Sequence, residues 1–174
     1  MRIYGLTGSI GMGKSAVAAM FRREGVPLFD ADAEVHRLQG PGGVLLPAIE
    51  ARFPGTTGAR GVDRAKLGAA VFGDPHARRA LEAIVHPAVR AARAAFLRRH
   101  RARKFVILDI PLLFETGGQT GLAGVIVVSA PRSRVRIWKV SPARAEVAET
   151  IRLDWLKSIL PLGRPKASSA RSEE

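Results

Sequence analysis

The sequence predicts an α/β fold in three layers, with helices covering both faces of a parallel sheet. Two observations lead to this fold class. Four short and continuous apolar runs occur at residues 3–7, 26–29, 105–108 and 125–128, and such runs are typical of strands covered on both faces. The first two runs are separated by a glycine-rich loop and a segment with helical spacing, an order that predicts a βαβ unit and hence parallel strands.

The helices are predicted from apolar spacing and from stop signals. Apolar residues recur at helical spacing over residues 14–24, and Gly25 supplies the stop. Residues 31–103 are expected to be mainly helical, with a short helix at 32–38 and a loop at 53–61. This long helical stretch lies between the second and third predicted strands.

Two aspartates in this stretch are predicted to begin helices. Asp63 precedes a helix at 64–72, and Asp74-Pro75 combines a capping residue with proline at the first helical position. We expect His86-Pro87 to interrupt the helix that follows, because proline cannot donate to the helical ladder. A second helix should then continue to about His100.

Composition and charge limit the classes of function. The chain has 28 Lys and Arg against 15 Asp and Glu, a formal net charge of +13, and no cysteine. A charge of this sign suits a polyanionic partner, but no aromatic residues interleave with the arginine runs, which favours a nucleotide enzyme over a nucleic-acid-binding protein. Disulfides and Cys-ligated metals are excluded, and no segment has the length of a membrane span. We expect a monomeric, cytoplasmic protein without a membrane partner.

One motif between the first strand and the first helix predicts phosphate chemistry. The Walker A pattern G-x-x-x-x-G-K-[ST] is matched by Gly8, Ser9, Ile10, Gly11, Met12, Gly13, Lys14 and Ser15, with Ala16 directly after it. Glycines let successive N–H groups point at phosphate oxygens, and the helix N-terminus adds a positive dipole end. Lys14 is expected to reach the β- and γ-phosphates of ATP, and the Ser15 hydroxyl to bind Mg²⁺. The motif predicts a P-loop NTPase that uses ATP and Mg²⁺.

A dinucleotide-binding fingerprint is the alternative interpretation of the same loop. Residues 11–16 also fit G-x-G-x-x-[GA], and Asp30 lies near the position of the acid that binds a ribose. Lys14 argues against this alternative. A dinucleotide fold binds its pyrophosphate through backbone groups, whereas a phosphoryl-transfer site needs the cation.

Carboxylates follow two of the predicted strands. Asp109 ends the third apolar run, as a Walker B acid does, and is expected to hold Mg²⁺ directly or through water, with a turn or cap role as the alternative. Asp30 and Asp32 follow the second run. Because the carboxyl ends of parallel strands line one crevice, an aspartate there would lie opposite the P-loop and could accept a proton from an acceptor hydroxyl. One of these two residues could instead cap the next helix.

Basic residues on the predicted long helix are candidates for phosphate binding. Arg78, Arg90 and Arg93 suit this role because a guanidinium pairs with two oxygens at once. A solvated helix face is the alternative for each of them. His86 stands out through its position beside Pro87.

Four segments, taken in order, resemble the dephospho-CoA kinase family. They are Leu6 to Ser15, Asp30-Ala31-Asp32, Leu81 to Pro87, and Leu108 to Glu115. The resemblance covers about residues 1–130 and implies an adenylate-kinase-like core with a helical acceptor-binding region at about 33–103. It also implies ATP-dependent phosphorylation of the ribose 3′-hydroxyl of dephospho-CoA, which gives CoA.

The resemblance also implies roles for individual residues. Asp32 would be the general base, with Lys14 as the other catalytic residue. The acceptor site would comprise Asp32, His86, Arg90, Pro111, Leu112, Leu113 and Glu115. The alternatives are another P-loop kinase of small acceptors, such as a nucleoside or shikimate kinase, or a basic nucleic-acid-binding P-loop protein.

The sequence departs from the family pattern in two places. Ala16 stands where the family often has Thr or Ser, a mild change. After Ala130 the family's arginine-bearing lid helix and final strand are not found, and residues 131–174 are atypically basic, with a helix predicted at 146–159 and disorder from Gly163. A shifted reading frame near Ala130 is one hypothesis for this difference. Without a lid arginine we expect weak or absent activity with phosphate binding retained.

Overall fold

The computed structural model describes residues 1–8, 13–110 and 121–128 with their side chains, and the backbone of residues 135–141, 144–146 and 150–151. The helices are α1 (Lys14–Arg23), α2 (Ala31–Gln39), α3 (Leu46–Arg52), α4 (Arg64–Val71) and α5 (Pro75–Arg99). The strands are β1 (Arg2–Gly8), β2 (Leu28–Asp30), β3 (Thr57–Gly58), β4 (Gly61–Val62), β5 (Phe105–Asp109), β6 (Gly124–Val128), β7 (Val135–Ser141), β8 (Arg144–Glu146) and β9 (Thr150–Ile151).

The central sheet has the predicted parallel architecture. Its strands lie in the order β2–β5–β1–β6, and every neighbouring pair is parallel. The four predicted apolar runs form these four strands. Since β1 lies between β5 and β6, the loop that follows β1 leaves from the middle of the carboxyl edge of the sheet.

Helices cover both faces of this sheet, as its apolar strands require. Successive strand side chains point to opposite faces, and they form two separate buried clusters. One cluster joins α1 to the sheet and contains Leu6, Ala18, Phe21, Ile107 and Ile126. The other contains Phe29, Leu108 and Val125, with Phe96 and Leu97 of α5 packed against it. The fold is therefore the predicted three-layer α/β arrangement.

The sheet continues past β6 with antiparallel strands. β7 pairs with β6, and both β8 and β9 pair with β7. The predicted helix at 146–159 is wrong at its start, because Glu146 ends β8 and Thr150–Ile151 form β9. The free edge of β7 offers hydrogen-bond partners to β8 and β9, and this pairing overrides the local helical spacing. The rest of that prediction, and the disorder predicted from Gly163, lie outside the described residues.

The predicted helix break at His86-Pro87 is wrong. α5 runs without interruption from Pro75 to Arg99 and contains Pro87. A proline inside a helix costs about 3 kcal/mol. Side chains before and after Pro87, such as Val85 and Ala88, pack against the same buried cluster. This packing stabilises the helix on both sides of Pro87. It therefore outweighs the backbone hydrogen bond that proline cannot donate.

The segment between β2 and β5 forms a second core made of helices. Its buried members are Leu38, Leu45, Ile49, Phe53, Leu67 and Ala77. The predicted caps are confirmed: the Asp63 carboxylate accepts hydrogen bonds from the first turn of α4, and the Asp74 carboxylate does the same for α5. The sequence did not predict α3, and the predicted loop at 53–61 is wrong in part, because β3 and β4 pair there as a small hairpin that ends at Val62. No described helix has the length and apolar character to cross a membrane.

We expect Gly8→Ala to destabilise the protein by about 1–3 kcal/mol, the usual cost of overpacking. A Cβ at residue 8 would lie 2.7 Å from the carbonyl oxygen of Val128 on the neighbouring strand β6. Gly68→Ala is the matched control, because a Cβ at that position meets nothing within 4 Å inside α4. Alanine there should stabilise by about 0.5–1 kcal/mol through helix propensity. Urea unfolding of both variants measures the difference, and equal effects would contradict this packing argument.

Glu50 makes the stability of the α3–β3 connection depend on pH. Its carboxylate accepts hydrogen bonds from the Thr57 hydroxyl (2.6 Å), the Gly55 N–H (2.6 Å) and the Thr57 N–H (3.0 Å). These bonds, the Thr57 hydroxyl first among them, hold the pKa of Glu50 below its usual range. The charged form is thus favoured in the folded state. Its contribution is present above the ordinary glutamate pKa and is lost as the pH falls through the lowered one.

We therefore expect Glu50→Gln to be less stable than the unmodified protein at pH 7, with the difference narrowing between about pH 5 and pH 3. Urea unfolding across this range measures the free energy of unfolding of each protein. Glu82→Gln is the matched control, since Glu82 is exposed and, in the described part of the chain, its only ion-pair partner is Arg78 at 4.0 Å. A pH-independent difference for Glu50→Gln would contradict the prediction.

Candidate active site

The predicted phosphate-binding loop joins the middle strand of the sheet to α1. Gly8 is the last residue of β1, and Gly13, with a φ of 88°, directly precedes α1. No described side chain caps this helix. The first turn of α1 therefore keeps backbone donors for an anion, and the helix dipole favours negative charge there. Ser9, Ile10, Gly11 and Met12 lie outside the described residues.

The first turn of α1 contains the other predicted donor-site residues. Ser15 and Ala16 are exposed, and Lys14 is half-buried. The Nζ of Lys14 lies 2.6 Å from Oδ1 of Asp109, whose side chain is 5% exposed. Asp109 ends β5 and is in register with Leu6 of β1. The parallel pairing of β1 and β5 thus brings together a lysine and an aspartate that are 95 positions apart in sequence.

Burial governs the electrostatics of Asp109. It raises the pKa of this carboxyl above the usual range; the Lys14 ammonium acts in the opposite direction, and the charges of Asp30 and Asp32 raise the pKa further. A buried carboxylate next to other acids favours the binding of cations. The site therefore combines one ammonium and three acids at the carboxyl edge of the sheet.

The two aspartates after β2 have different surroundings. Asp30 is in register with Asp109, caps α2 by accepting from the Ala33 N–H at 3.0 Å, and pairs with Arg22 at 3.0 Å. Asp32 is exposed in the first turn of α2. The structure thus gives Asp30 the capping role and leaves the Asp32 carboxylate accessible to a ligand.

Oxygen ligands for a divalent cation are present at this edge. Mg²⁺ usually keeps several waters and binds through one or two carboxylates together with substrate phosphates. The Asp109 carboxylate and the Ser15 hydroxyl are oxygen donors of this kind. Among the residues with described side chains, no group of three or more His, Asp or Glu could hold a metal ion. These residues fit an ion that is bound jointly with a nucleotide, rather than in a cage made of protein alone.

The predicted acceptor residues on α5 lie on the surface. His86 and Arg90 are both exposed, and neither forms a hydrogen bond or an ion pair with another described side chain. Arg93 is half-buried, and this burial lowers the pKa of its guanidinium. The remaining predicted acceptor residues lie outside the described residues: Pro111, Leu112, Leu113 and Glu115.

The fold brings to α2 and its cap three basic side chains that were not predicted as functional residues. Arg22 pairs with Asp30, and Arg64 contacts His36 across 28 positions of sequence. The spacing of His36 from Asp32 is a usable signal, because residues four apart share a helix face. No local pattern points to Arg22 or Arg64, since their partners are reached through tertiary packing.

The sequence is similar to proteins of one family. Residues 2–154 match the family model described as CoaE, dephospho-CoA kinase, so the match extends beyond Ala130. A dephospho-CoA kinase of Novosphingobium aromaticivorans is 66% identical over 129 residues, which are 74% of this chain and 64% of that protein. A dephospho-CoA kinase of Paramagnetospirillum magneticum is 59% identical over 133 residues, which are 75% and 63% of the two chains. This chain therefore spans less than two thirds of the length of these relatives.

Two solved structures have the same fold. A crystal structure from Thermus thermophilus superposes with a TM-score of 0.66 at 42% identity and covers 75% of this chain and 66% of the other. The dephospho-CoA kinase from Campylobacter jejuni gives a TM-score of 0.59 at 28% identity, with coverage of 73% and 66%. Both likenesses support the three-layer fold described above.

Proposed function

Because this chain belongs to the dephospho-CoA kinase family, we propose that it transfers the γ-phosphoryl group of ATP to the ribose 3′-hydroxyl of dephospho-CoA. The products are CoA and ADP. The observation that carries this proposal is the Lys14–Asp109 pair at 2.6 Å, located beside the open N-terminus of α1. A cation, a buried acid and free backbone donors at one point form an arrangement suited to phosphoryl transfer.

The donor site is proposed to run from Gly8 to Ala16. Backbone N–H groups of this segment bind the phosphates, and Lys14 stabilises the charge that accumulates on the transferring group. Ser15 and Asp109 are the proposed ligands of Mg²⁺, which when bound neutralises phosphate charge. When the nucleotide binds, the ion pair between Lys14 and Asp109 would weaken, because the ammonium would also contact phosphate oxygens.

The acceptor site is proposed to centre on Asp32. The acceptor oxygen forms a bond to the γ-phosphorus, the bond from that phosphorus to the β–γ bridging oxygen breaks, and ADP leaves. Asp32 takes the proton of the hydroxyl, a role open to it because it is exposed and Asp30 is occupied as a cap. His86, Arg90 and the segment 111–115 would complete the acceptor site. A cytoplasmic location and a monomeric state remain predictions from the sequence.

A coupled assay of ADP release tests this proposal. Dephospho-CoA is compared with a nucleoside and with shikimate as acceptors, in the presence of ATP and Mg²⁺. We expect release of ADP with dephospho-CoA, with CoA in equal amount, at a rate well below that of a full-length relative because no lid arginine was found in the sequence. Release of ADP with a nucleoside or shikimate, and none with dephospho-CoA, would overturn the assignment in favour of another small-acceptor kinase.

A further inference from the structure

The exposed face of α2 carries a second polar group next to the proposed base. His36 follows Asp32 by four positions, so the two side chains lie on the same face and about 6 Å apart along the helix axis. A guanidinium nitrogen of Arg64 is 2.5 Å from Nδ1 of His36. Arg64 thus lies one helical turn from Asp32, although 32 positions separate them in sequence.

Two features of the helical region fix Arg64 in this place. Arg64 is the first residue of α4, and the Asp63 side chain accepts hydrogen bonds from the Ala65 and Lys66 N–H groups, which sets where that helix begins. The strand before it, β4, packs directly on the end of α2. A Cβ at Gly61 would lie 2.7 Å from the carbonyl carbon of Gly40, so a larger residue would push the start of α4 away from α2.

The charge of Arg64 has no acidic partner in the described part of the chain. The ion pairs found there join Lys14, Arg22, Arg37 and Arg78 to carboxylates, and none includes Arg64. The N–H of the guanidinium donates to a ring nitrogen of His36, which orients the planar group without neutralising its charge. An exposed and oriented guanidinium is well suited to a ligand with two phosphate oxygens in reach.

The distance between Arg64 and Asp32 determines which part of a bound acceptor Arg64 would contact. Dephospho-CoA carries a diphosphate on the 5′-oxygen of the same ribose whose 3′-hydroxyl is phosphorylated. One helical turn is comparable to the distance across a ribose from its 3′-oxygen to its 5′-phosphate. With the 3′-hydroxyl at Asp32, the diphosphate would therefore lie close to Arg64.

We propose that Arg64, oriented by His36, binds the diphosphate of the acceptor and so places the ribose 3′-hydroxyl at Asp32. This inference rests on the proposed function and names a binding residue for that site. It predicts that Arg64 contributes to the affinity for acceptors that contain a diphosphate and not to the affinity for ATP. His36 is a positioning residue, which acts through Arg64.

Calorimetric titration with dephospho-CoA and with adenosine tests this inference, in the presence of a saturating non-hydrolysable ATP analogue. Adenosine keeps the ribose and lacks the diphosphate. We expect Arg64→Ala to weaken binding of dephospho-CoA about 10- to 100-fold, as for loss of a charged hydrogen-bonding partner, and to leave adenosine binding within twofold. Arg60→Ala, at another exposed arginine of the same region, should change neither affinity.

Variants of His36 test the positioning role. His36→Phe should weaken dephospho-CoA binding several-fold, and His36→Asn, which keeps a side-chain acceptor, should restore most of it. Equal weakening of dephospho-CoA and adenosine by Arg64→Ala, or no weakening of either, would overturn the inference and leave the proposed function standing. If the unmodified protein does not bind dephospho-CoA at all, the proposed function fails and the inference fails with it. Circular dichroism of Arg64→Ala and Arg64→Lys serves as the control that each variant keeps the fold.

Discussion

Lys14→Ala is expected to lower the rate of ADP release by about 100- to 1,000-fold, the usual loss when one preorganised charge-stabilising group is removed. Lys14 is the only cation within ion-pair distance of Asp109 among the residues with described side chains. Its removal takes positive charge from the place where the γ-phosphoryl group would be transferred. The affinity for ATP, measured by calorimetry with Mg²⁺, should fall as well.

The same substitution should also reduce stability. Asp109 is buried, which raises the pKa of its carboxyl. Without Lys14 it loses the ammonium that opposes this rise. A buried polar group left without its partner costs about 1–3 kcal/mol, which urea unfolding would detect. Lys66→Ala is the matched control, since Lys66 is exposed on α4 and forms no ion pair with a described carboxylate. Unchanged turnover and ATP affinity in Lys14→Ala would contradict the proposed donor site.

Asp32→Asn is expected to lower the turnover rate by about 100- to 10,000-fold, the range typical of a lost general base. Asparagine has nearly the same shape but cannot accept the proton of the 3′-hydroxyl. Binding of ATP should remain, because the residues of the P-loop are unchanged. Steady-state ADP release and calorimetric titration with ATP separate the two effects.

Asp30→Asn is the matched control for Asp32→Asn. It makes the same chemical change two positions earlier, and asparagine caps a helix about as well as aspartate. The exposed pair of Asp30 with Arg22 is worth about 1 kcal/mol at most, so stability should change little. We expect Asp30→Asn to keep most of the activity. If Asp30→Asn lost more activity than Asp32→Asn, the proposed roles of base for Asp32 and helix cap for Asp30 would be reversed.

Much of the sheet and several helix caps were predictable because the signals are local. The four apolar runs are confirmed as the parallel strands. The aspartates at positions 63 and 74 are confirmed as helix caps, because a cap depends on residues two or three positions away. The family assignment also followed from short motifs in order, and the family-model match over residues 2–154 confirms it.

The wrong predictions concern places where distant packing outweighs local preference. Pro87 is a strong local breaker, yet α5 continues through it because side chains on both sides of it pack on one core. Glu146 lies in a segment with helical spacing, yet the backbone pairs with β7 at the edge of the sheet. In both cases the summed free energy of many weak tertiary contacts exceeds a local preference of a few kcal/mol.

Taken alone, the order of residues in this chain specified its layers, a candidate phosphate-binding loop and the two candidate acids after β2. It did not specify which of those acids is free, since Asp30 and Asp32 differ only in what surrounds them after folding. Nor did it place Lys14 against Asp109 or Arg64 beside His36. Those contacts join residues 28 to 95 positions apart, and no local preference encodes a distance of that kind. They form because the strands and helices pack in one arrangement, which brings their ends together.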